Sequence, residues 1–424
     1  MNKALLLIAS IVLLIGGSAS LMSCGKGSSN NQQTSSGLTF RAFISNALSP
    51  VGTFHIPVLN IVDASKDQAS GFTVSMSGSL TNPGPMLLSW DHTFTLVSSA
   101  SEPKIAIVTN SSEGVTSTIT LPDAASSMAV DPDNATAFAA VRNAPIAGQS
   151  QGAVVMLSVS PAGVSATIPV PNVRYIVEDP AGTRLLAFSD SSATATVITK
   201  ANIGTGTDPR GSICCFDNPV WAVFTPDGNT AYVLECGPEC GGSAAAVAKV
   251  DMTTNTVGTR VVVPAATMAQ VKGSVLWVAG TPPGTACSSG TAAANCGTLT
   301  PVDLTSMTAG TSLLITDGYH DRVEVTPDGQ LWVGAVNCTD INIPASGSNP
   351  GEVRGCLSIV NPSSSAIVIP PQTGDVTGIA PIPGRNVVYV VQGGNFGIYD
   401  TTKDKLQPTE FTIVGQLSDV KVVY

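Results

Sequence analysis

The stretch Trp221-Ala-Val-Phe-Thr-Pro-Asp-Gly-Asn-Thr-Ala-Tyr-Val233 sets two apolar runs on either side of a Pro-Asp-Gly-Asn turn. Proline presets φ at the first central position, Asp hydrogen-bonds its own backbone, and Gly accepts φ > 0, so the stretch spells a β-hairpin. Val323-Glu-Val-Thr-Pro-Asp-Gly-Gln-Leu-Trp-Val333 repeats it closely. Looser copies run Met128–Phe138, Tyr175–Leu186 and Ile379–Val390. Two degenerate ones run Leu87–Val97, with Asp91-His92 in the turn, and Met268–Val278, with Lys272-Gly273 there. Successive copies begin about 40 to 56 residues apart, which leaves room for two more strands after each hairpin and matches a four-stranded propeller blade. Lys104–Val108 with Thr116–Thr120, and Val247–Met252 with Thr259–Val263, supply such outer strands.

Working outward, the 424 residues are 43% hydrophobic and only 11% charged, with 41 Gly. From Leu38 onward short runs rich in Val, Ile, Thr and Ala alternate with Pro, Gly, Asp and Asn, and no 3.6-residue period is sustained, so the fold class is all-β. The C-terminal Asp419–Tyr424 reads as an innermost strand without its partner, and Leu38–Ile44 as a second strand without its first. Pairing the two makes one composite blade and hides both edges. Seven internal hairpins plus this composite give eight blades, about 48 residues each over 38–424.

The layout resembles the YVTN-type β-propeller repeats, and more loosely the lactonase-like propellers. Pro226-Asp227-Gly228 with Tyr232-Val233, and Ile398-Tyr399-Asp400-Thr401 after Tyr389-Val390, carry that resemblance. Seven blades, the commoner number in those families, is the alternative to eight. The resemblance implies fold well and activity hardly at all.

The N-terminus has a short basic start, Met1-Asn2-Lys3, and an apolar run, Ala4–Gly17, too short to span a bilayer as a helix. It ends in Leu21-Met22-Ser23-Cys24, which resembles the lipobox of bacterial lipoproteins. The expectation is a signal peptide over 1–23, lipidation of Cys24, a Gly/Ser/Asn/Gln tether to residue 37, and a propeller domain over 38–424. Gly25, not Asp, follows the cysteine. Under the enterobacterial sorting pattern that implies the outer membrane or cell surface. The formal charge of −10 argues against a nucleic-acid partner.

Eight further cysteines in an exported chain point to disulfides. Cys287 and Cys296 bracket one loop and Cys338 and Cys356 another, and each pair is expected to close its loop. The other four, Cys214, Cys215, Cys236 and Cys240, are expected to link the strand end at 214–215 to the loop 236–240, with connectivity open. A second pair in zinc spacing is lacking, so no metal site is expected there.

Three His limit acid–base and metal chemistry. His55 and His92 read as structural or solvated. His320-Asp321-Arg322 precedes an innermost strand, where loops line one mouth of the channel, and Arg174, Asn218, Trp221, Asp375 and Asp419 hold comparable positions in other blades. These residues form the candidate ligand site, set against a purely structural role in capping strands and binding channel water. Asp131-Pro-Asp133-Asn134 lacks the Gly and terminal Glu of an EF-hand loop and is explained as a turn. Gly204-Thr-Gly206 has no following helix to hold a phosphate, and neither a Gly-x-Ser-x-Gly elbow nor a His-Glu-x-x-His helix is present.

Two functions follow from this reading. The first is a tethered binding scaffold for a protein, peptide or glycan partner, without a cofactor, using the long loops 280–298 and 338–356 as contact surface. The second is a lactonase-like hydrolase or lyase, in which channel-mouth Asp, His and Arg hold a divalent metal or polarise a carbonyl. The sequence assigns neither substrate nor oligomeric state. Convergence of those side chains on one point would mark the enzyme, and scatter the binder.

Overall fold

The computed structural model describes residues 35–51, 53–284, 296–347, 350–409 and 411–424. The signal segment, Cys24 and Cys287 lie outside them. Eight four-stranded antiparallel blades stand in a ring. Blade 1 holds Pro83–Leu88, Phe94–Ser99, Lys104–Thr109 and Gly114–Thr120, from channel to rim. Blade 2 holds Ser127–Val130, Thr136–Val141, Ala153–Ser158 and Gly163–Pro169, and blade 3 holds Val173–Glu178, Arg184–Ser189, Thr194–Thr199 and Arg210–Cys214. Blade 4 holds Pro219–Phe224, Thr230–Glu235, Ala246–Asp251 and Thr256–Val262. Blade 5 holds Met268–Lys272, Val275–Gly280 and Gly297–Asp303, its rim split into Thr308–Ala309 and Leu313–Ile315. Blade 6 holds Tyr319–Val325, Leu331–Val336, Leu357–Asn361 and Ala366–Val368, and blade 7 holds Val376–Pro381, Val387–Gln392, Asn395–Asp400 and Lys405–Leu406.

Blade 8 closes the ring with Leu417–Val423 against Arg41–Val51, Phe54–Asp63 and Gln68–Ser75. The C-terminal strand pairs antiparallel with the first strand of the body, Ala42 opposite Val422 and Ile44 opposite Val420. The composite blade and the count of eight are therefore as expected. Each Pro-Asp-Gly-type hairpin joins the two inner strands of its blade. Gly228 at φ 68° and Gly329 at φ 87° occupy the left-handed position. Thr225 Oγ1 donates to Asp227 Oδ1 at 2.5 Å, and the Gly228 N–H closes the turn on Thr225 O at 2.8 Å.

Second strands are buried on both faces, because each blade stacks between two others: every residue of Phe94–Ser99 and of Val387–Gln392 is buried. That explains their run of β-branched and aromatic residues. Each joint between neighbouring blades carries its own apolar cluster, such as Tyr389, Val391 and Val420 between blades 7 and 8. Rim strands such as Gly163–Pro169 are half-buried or exposed at every residue but one, Ile168.

Candidate functional site

All innermost strands start at one end of the channel, the upper mouth, and the loops joining second and third strands return to that same end. In six blades the innermost strand opens with a register shift against its neighbour. Such a bulge adds one residue and re-aims a side chain. The added residues include Arg174, Val220, Asp321, Thr377 and Ser418.

At the upper mouth a cavity of about 360 Å³ is bounded by Arg142, Arg174, Tyr175, Asp190, Asn218, Glu239 and Tyr319 among others. Asp190 receives two guanidinium groups, Arg142 Nη2 at 2.5 Å and Arg174 Nη1 at 3.6 Å. The Arg174 guanidinium lies 5.1 Å from the Tyr175 ring centre and 5.4 Å from that of Tyr319. Arg174 thus ties blade 3 to blade 6 across the channel. Glu239 comes from the loop 236–245 and accepts the Thr281 N–H at Oε2, 2.8 Å away. Burial pushes its carboxyl up to about 7, although the Thr281 bond works the other way. Burial also raises the Tyr319 hydroxyl well above the ordinary phenol range. The pocket therefore offers two guanidinium groups against one firmly paired carboxylate, two aromatic faces, and a carboxyl that titrates near neutrality. Groups of these types suit a planar anion beside a ring, and a carboxyl near neutrality is able to transfer one proton.

The residues expected from sequence separate. Arg174 and Asn218 line the upper cavity. Trp221 lies deeper, with its ring edge-to-face against Tyr175 at 6.2 Å. His320 is fully buried in the wall between blades 5 and 6, with Nε2 at 3.0 Å from Thr316 O, and is corrected from a mouth ligand to a packing residue. Burial lowers its pKa to about 4, so its ring is neutral. A side chain on Gly297 would strike it, which shows how tightly the ring is held. Asp375 Oδ1 accepts the Asn337 N–H at 2.6 Å, and Asp419 Oδ2 accepts the Met86 N–H at 2.8 Å, so both carboxylates tie neighbouring blades. Asp321 is the residue added at the start of the blade 6 innermost strand, next to Arg322. Burial raises its pKa, and the Asp375 and Asp419 charges add to the rise. Among the described residues no group of three or more His, Cys, Asp and Glu could hold a metal ion.

The cysteines correct a second expectation. Cys236 pairs with Cys240, because the one-turn 3-10 helix Gly237–Cys240 brings their Cα atoms to 5.6 Å. Cys214 and Cys215 stay exposed thiols at the rim of blade 3. Cys338 bonds Cys356, and Cys296 is disulfide-bonded. These loops all stand on the upper face. Arg142, Asp190, Glu239 and Tyr319 were not singled out from the sequence. Glu239, enclosed by Cys236 and Cys240, carried a usable signal, whereas Arg142 and Asp190 sit in loops without a motif.

No family profile and no curated protein matches this chain. Similar solved structures exist at low identity. The dihydro-heme d1 dehydrogenase NirN, solved in complex with DHE, aligns with TM-score 0.62 at 11% identity over 91% of this chain and 75% of its own. The periplasmic gluconolactonase PpgL of Pseudomonas aeruginosa aligns with TM-score 0.50 at 14% identity over 91% and 99%. A putative 6-phosphogluconolactonase of Bacteroides fragilis gives 0.50 at 12% over 91% and 98%. At these identities the likeness is one of fold: this chain is an eight-bladed β-propeller.

Proposed function

We propose that this chain is a lipid-anchored envelope protein whose upper mouth binds an acidic glycan, a sugar chain bearing carboxylates. The observation that carries the reading is the sharing of Asp190 by Arg142 and Arg174, with Tyr175 and Tyr319 alongside Arg174. Two guanidinium charges meet one carboxylate, and Glu239 is largely neutral below about pH 7, so the pocket keeps a positive excess for a ligand carboxylate. The tyrosine rings offer the apolar faces of a sugar ring a surface, and rigid loops lose little entropy on binding.

Binding of uronic-acid oligosaccharides to the detergent-solubilised mature protein tests this. Saturable binding of the acidic ligand but not its neutral counterpart is expected, at least about tenfold weaker in Arg174→Ala. Affinity should fall as pH rises through about 7, when Glu239 ionises and adds a second negative charge to the cavity that Asp190 also lines. Equal binding of neutral and acidic sugars would overturn the reading. The anchor is tested separately: Cys24→Ala should lose incorporation of labelled fatty acid and leave the membrane fraction.

One observation supports a second reading, a lactone hydrolase. Glu239 has the near-neutral pKa of a general base, and two of the similar structures are named as lactonases. Sugar-lactone hydrolysis with a rate inflection near pH 7 that Glu239→Gln abolishes would favour it.

A further inference from the structure

The lower mouth, where the innermost strands end, holds a second cavity of about 410 Å³ under blades 1 to 4. Its walls are Leu87, Met128, Val177 and Trp221, with Trp90 at its edge. Trp90 is 62% exposed, yet its indole Nε1–H donates to Val130 O at 2.7 Å, which fixes the ring over the opening. An exposed, oriented indole at the edge of an apolar cavity offers a ligand an aromatic face. The Tyr175–Trp221 contact joins a wall residue of the upper cavity to one of the lower, so each cavity has its own lining.

Two side chains lining this cavity have buried polar atoms without a hydrogen bond, His92 at Nδ1 and Glu178 at both carboxylate oxygens, and Glu178 is the acidic one. Glu178 has a side chain only 7% exposed, and neither carboxylate oxygen accepts a hydrogen bond. Lys200 Nζ stays 3.9 Å from Glu178 Oε1 because Asp131 engages it. Burial, with the Asp179 and Asp133 charges nearby, raises the Glu178 carboxyl to about 8. Four carboxyl groups (Asp131, Asp133, Glu178 and Asp179) thus face two cations, Lys200 and Arg184. A buried carboxyl without a partner is costly, and an organic cation with an apolar body would satisfy it while its hydrocarbon fills the cavity. Indole rings favour such a cation further.

We propose that the lower mouth is a binding site for an amphipathic organic cation, an alkylammonium group whose nitrogen pairs with Glu178 and whose chain lies against Trp221, Trp90 and Met128. The site is separate from the upper mouth and does not depend on what binds there.

Hexylammonium, hexanol and hexanoate, matched in size and differing in charge, test it by tryptophan fluorescence at pH 9, above the value of about 8 to which burial raises Glu178, so that the carboxylate is ionised and the alkylammonium still charged. Trp90 and Trp221 line the cavity, whereas Trp277 and Trp332 are buried in other joints, so the response reports this site. Hexylammonium should saturate at least tenfold more tightly than hexanol, with hexanoate weakest. Glu178→Gln should bring hexylammonium to the level of hexanol and change hexanol by less than threefold. Trp90→Leu, at an exposed position, should weaken hexylammonium and hexanol alike. Absence of a saturable signal, equal binding of cation and alcohol, or a cation preference that survives in folded Glu178→Gln would each overturn the proposal.

Discussion

Gly228 and Gly297 show how differently two glycines are used. Gly228 holds φ 68°, and a Cβ there would meet nothing closer than Asp179 at 3.6 Å, so its cost is purely conformational. Gly228→Ala should lose about 1–2 kcal/mol in a denaturant titration. At Gly297 a Cβ would stand 2.2 Å from Thr316 O and 2.6 Å from the His320 ring, so Gly297→Ala should lose about 3 kcal/mol or more. Glu178 makes a pH-dependent prediction. Its folded pKa, about 8, lies above the ordinary 4.5, so the protonated form is the one the fold favours. Stability is fully present below about pH 4.5 and is lost as pH rises to about 8. Glu178→Gln cannot ionise, and its unfolding free energy in a denaturant titration should match wild type at pH 4 and exceed it at pH 9, by on the order of 4 kcal/mol. The turn residues were legible because a Pro-Asp-Gly turn is decided within four residues. Of the upper-mouth residues Arg174 and Asn218 were legible from their place at the head of an innermost strand, whereas Arg142, Asp190, Glu239 and Tyr319 were not, since Arg174 meets Tyr319 only after the ring has closed. His320 misled for the same reason: position along a strand tells where a residue starts, not that Thr316 and Gly297 enclose its ring.

A recurrent joint connects blades on the lower face, and its parts come from two short elements. A side chain at the start of a second strand reaches the turn between the third and fourth strands of the next blade. Arg184 of blade 3 holds Gly228 O at 3.0 Å and also the Met252 carbonyl, and Gln330 of blade 6 holds Thr401 O at 2.9 Å and Asp404 Oδ1 at 2.7 Å. Arg385 of blade 7 grips Asp67 at 2.7 and 2.6 Å, and Arg41 of blade 8 pairs with Glu113 at 3.0 Å. In five blades the turn between the third and fourth strands is built alike. Asp63, Asp251, Asp303, Asn361 and Asp400 each accept the N–H two residues on, and the chain reverses through a positive φ at Asp67, Asn255, Met307, Ser365 and Asp404. This second repeat is written in the sequence as Asp or Asn followed two residues later by Ser or Thr, and only its last copy, at Asp400, entered the sequence reading. Arg385→Ala removes a bidentate pair and a bond to Ala64 O, and should lower stability by about 2–3 kcal/mol, with Arg385→Lys recovering part of it. Thermal unfolding of the two variants beside wild type measures this.

The ring as a unit makes the functional face. Eight apolar joints set eight innermost strands around one channel, and the disulfide-closed loops stand on the upper end. The blade count and the closing strand pair could be read from spacing, because each blade repeats the same local turn and the two chain ends are each half a blade. The cysteine pairing could not, since Cys236–Cys240 depends on a one-turn helix that no periodicity announces. The central claim is that the upper mouth, where blades 2, 3, 4 and 6 converge, is the ligand site. Hydrogen–deuterium exchange of the protein with and without a uronic-acid oligosaccharide tests it most directly. Slowed exchange confined to the loops 142–152, 190–193 and 236–245 and to the start of the strand at Tyr319 is the predicted result. Unchanged exchange in those segments under saturating ligand, or protection appearing only on the lower face, would contradict it.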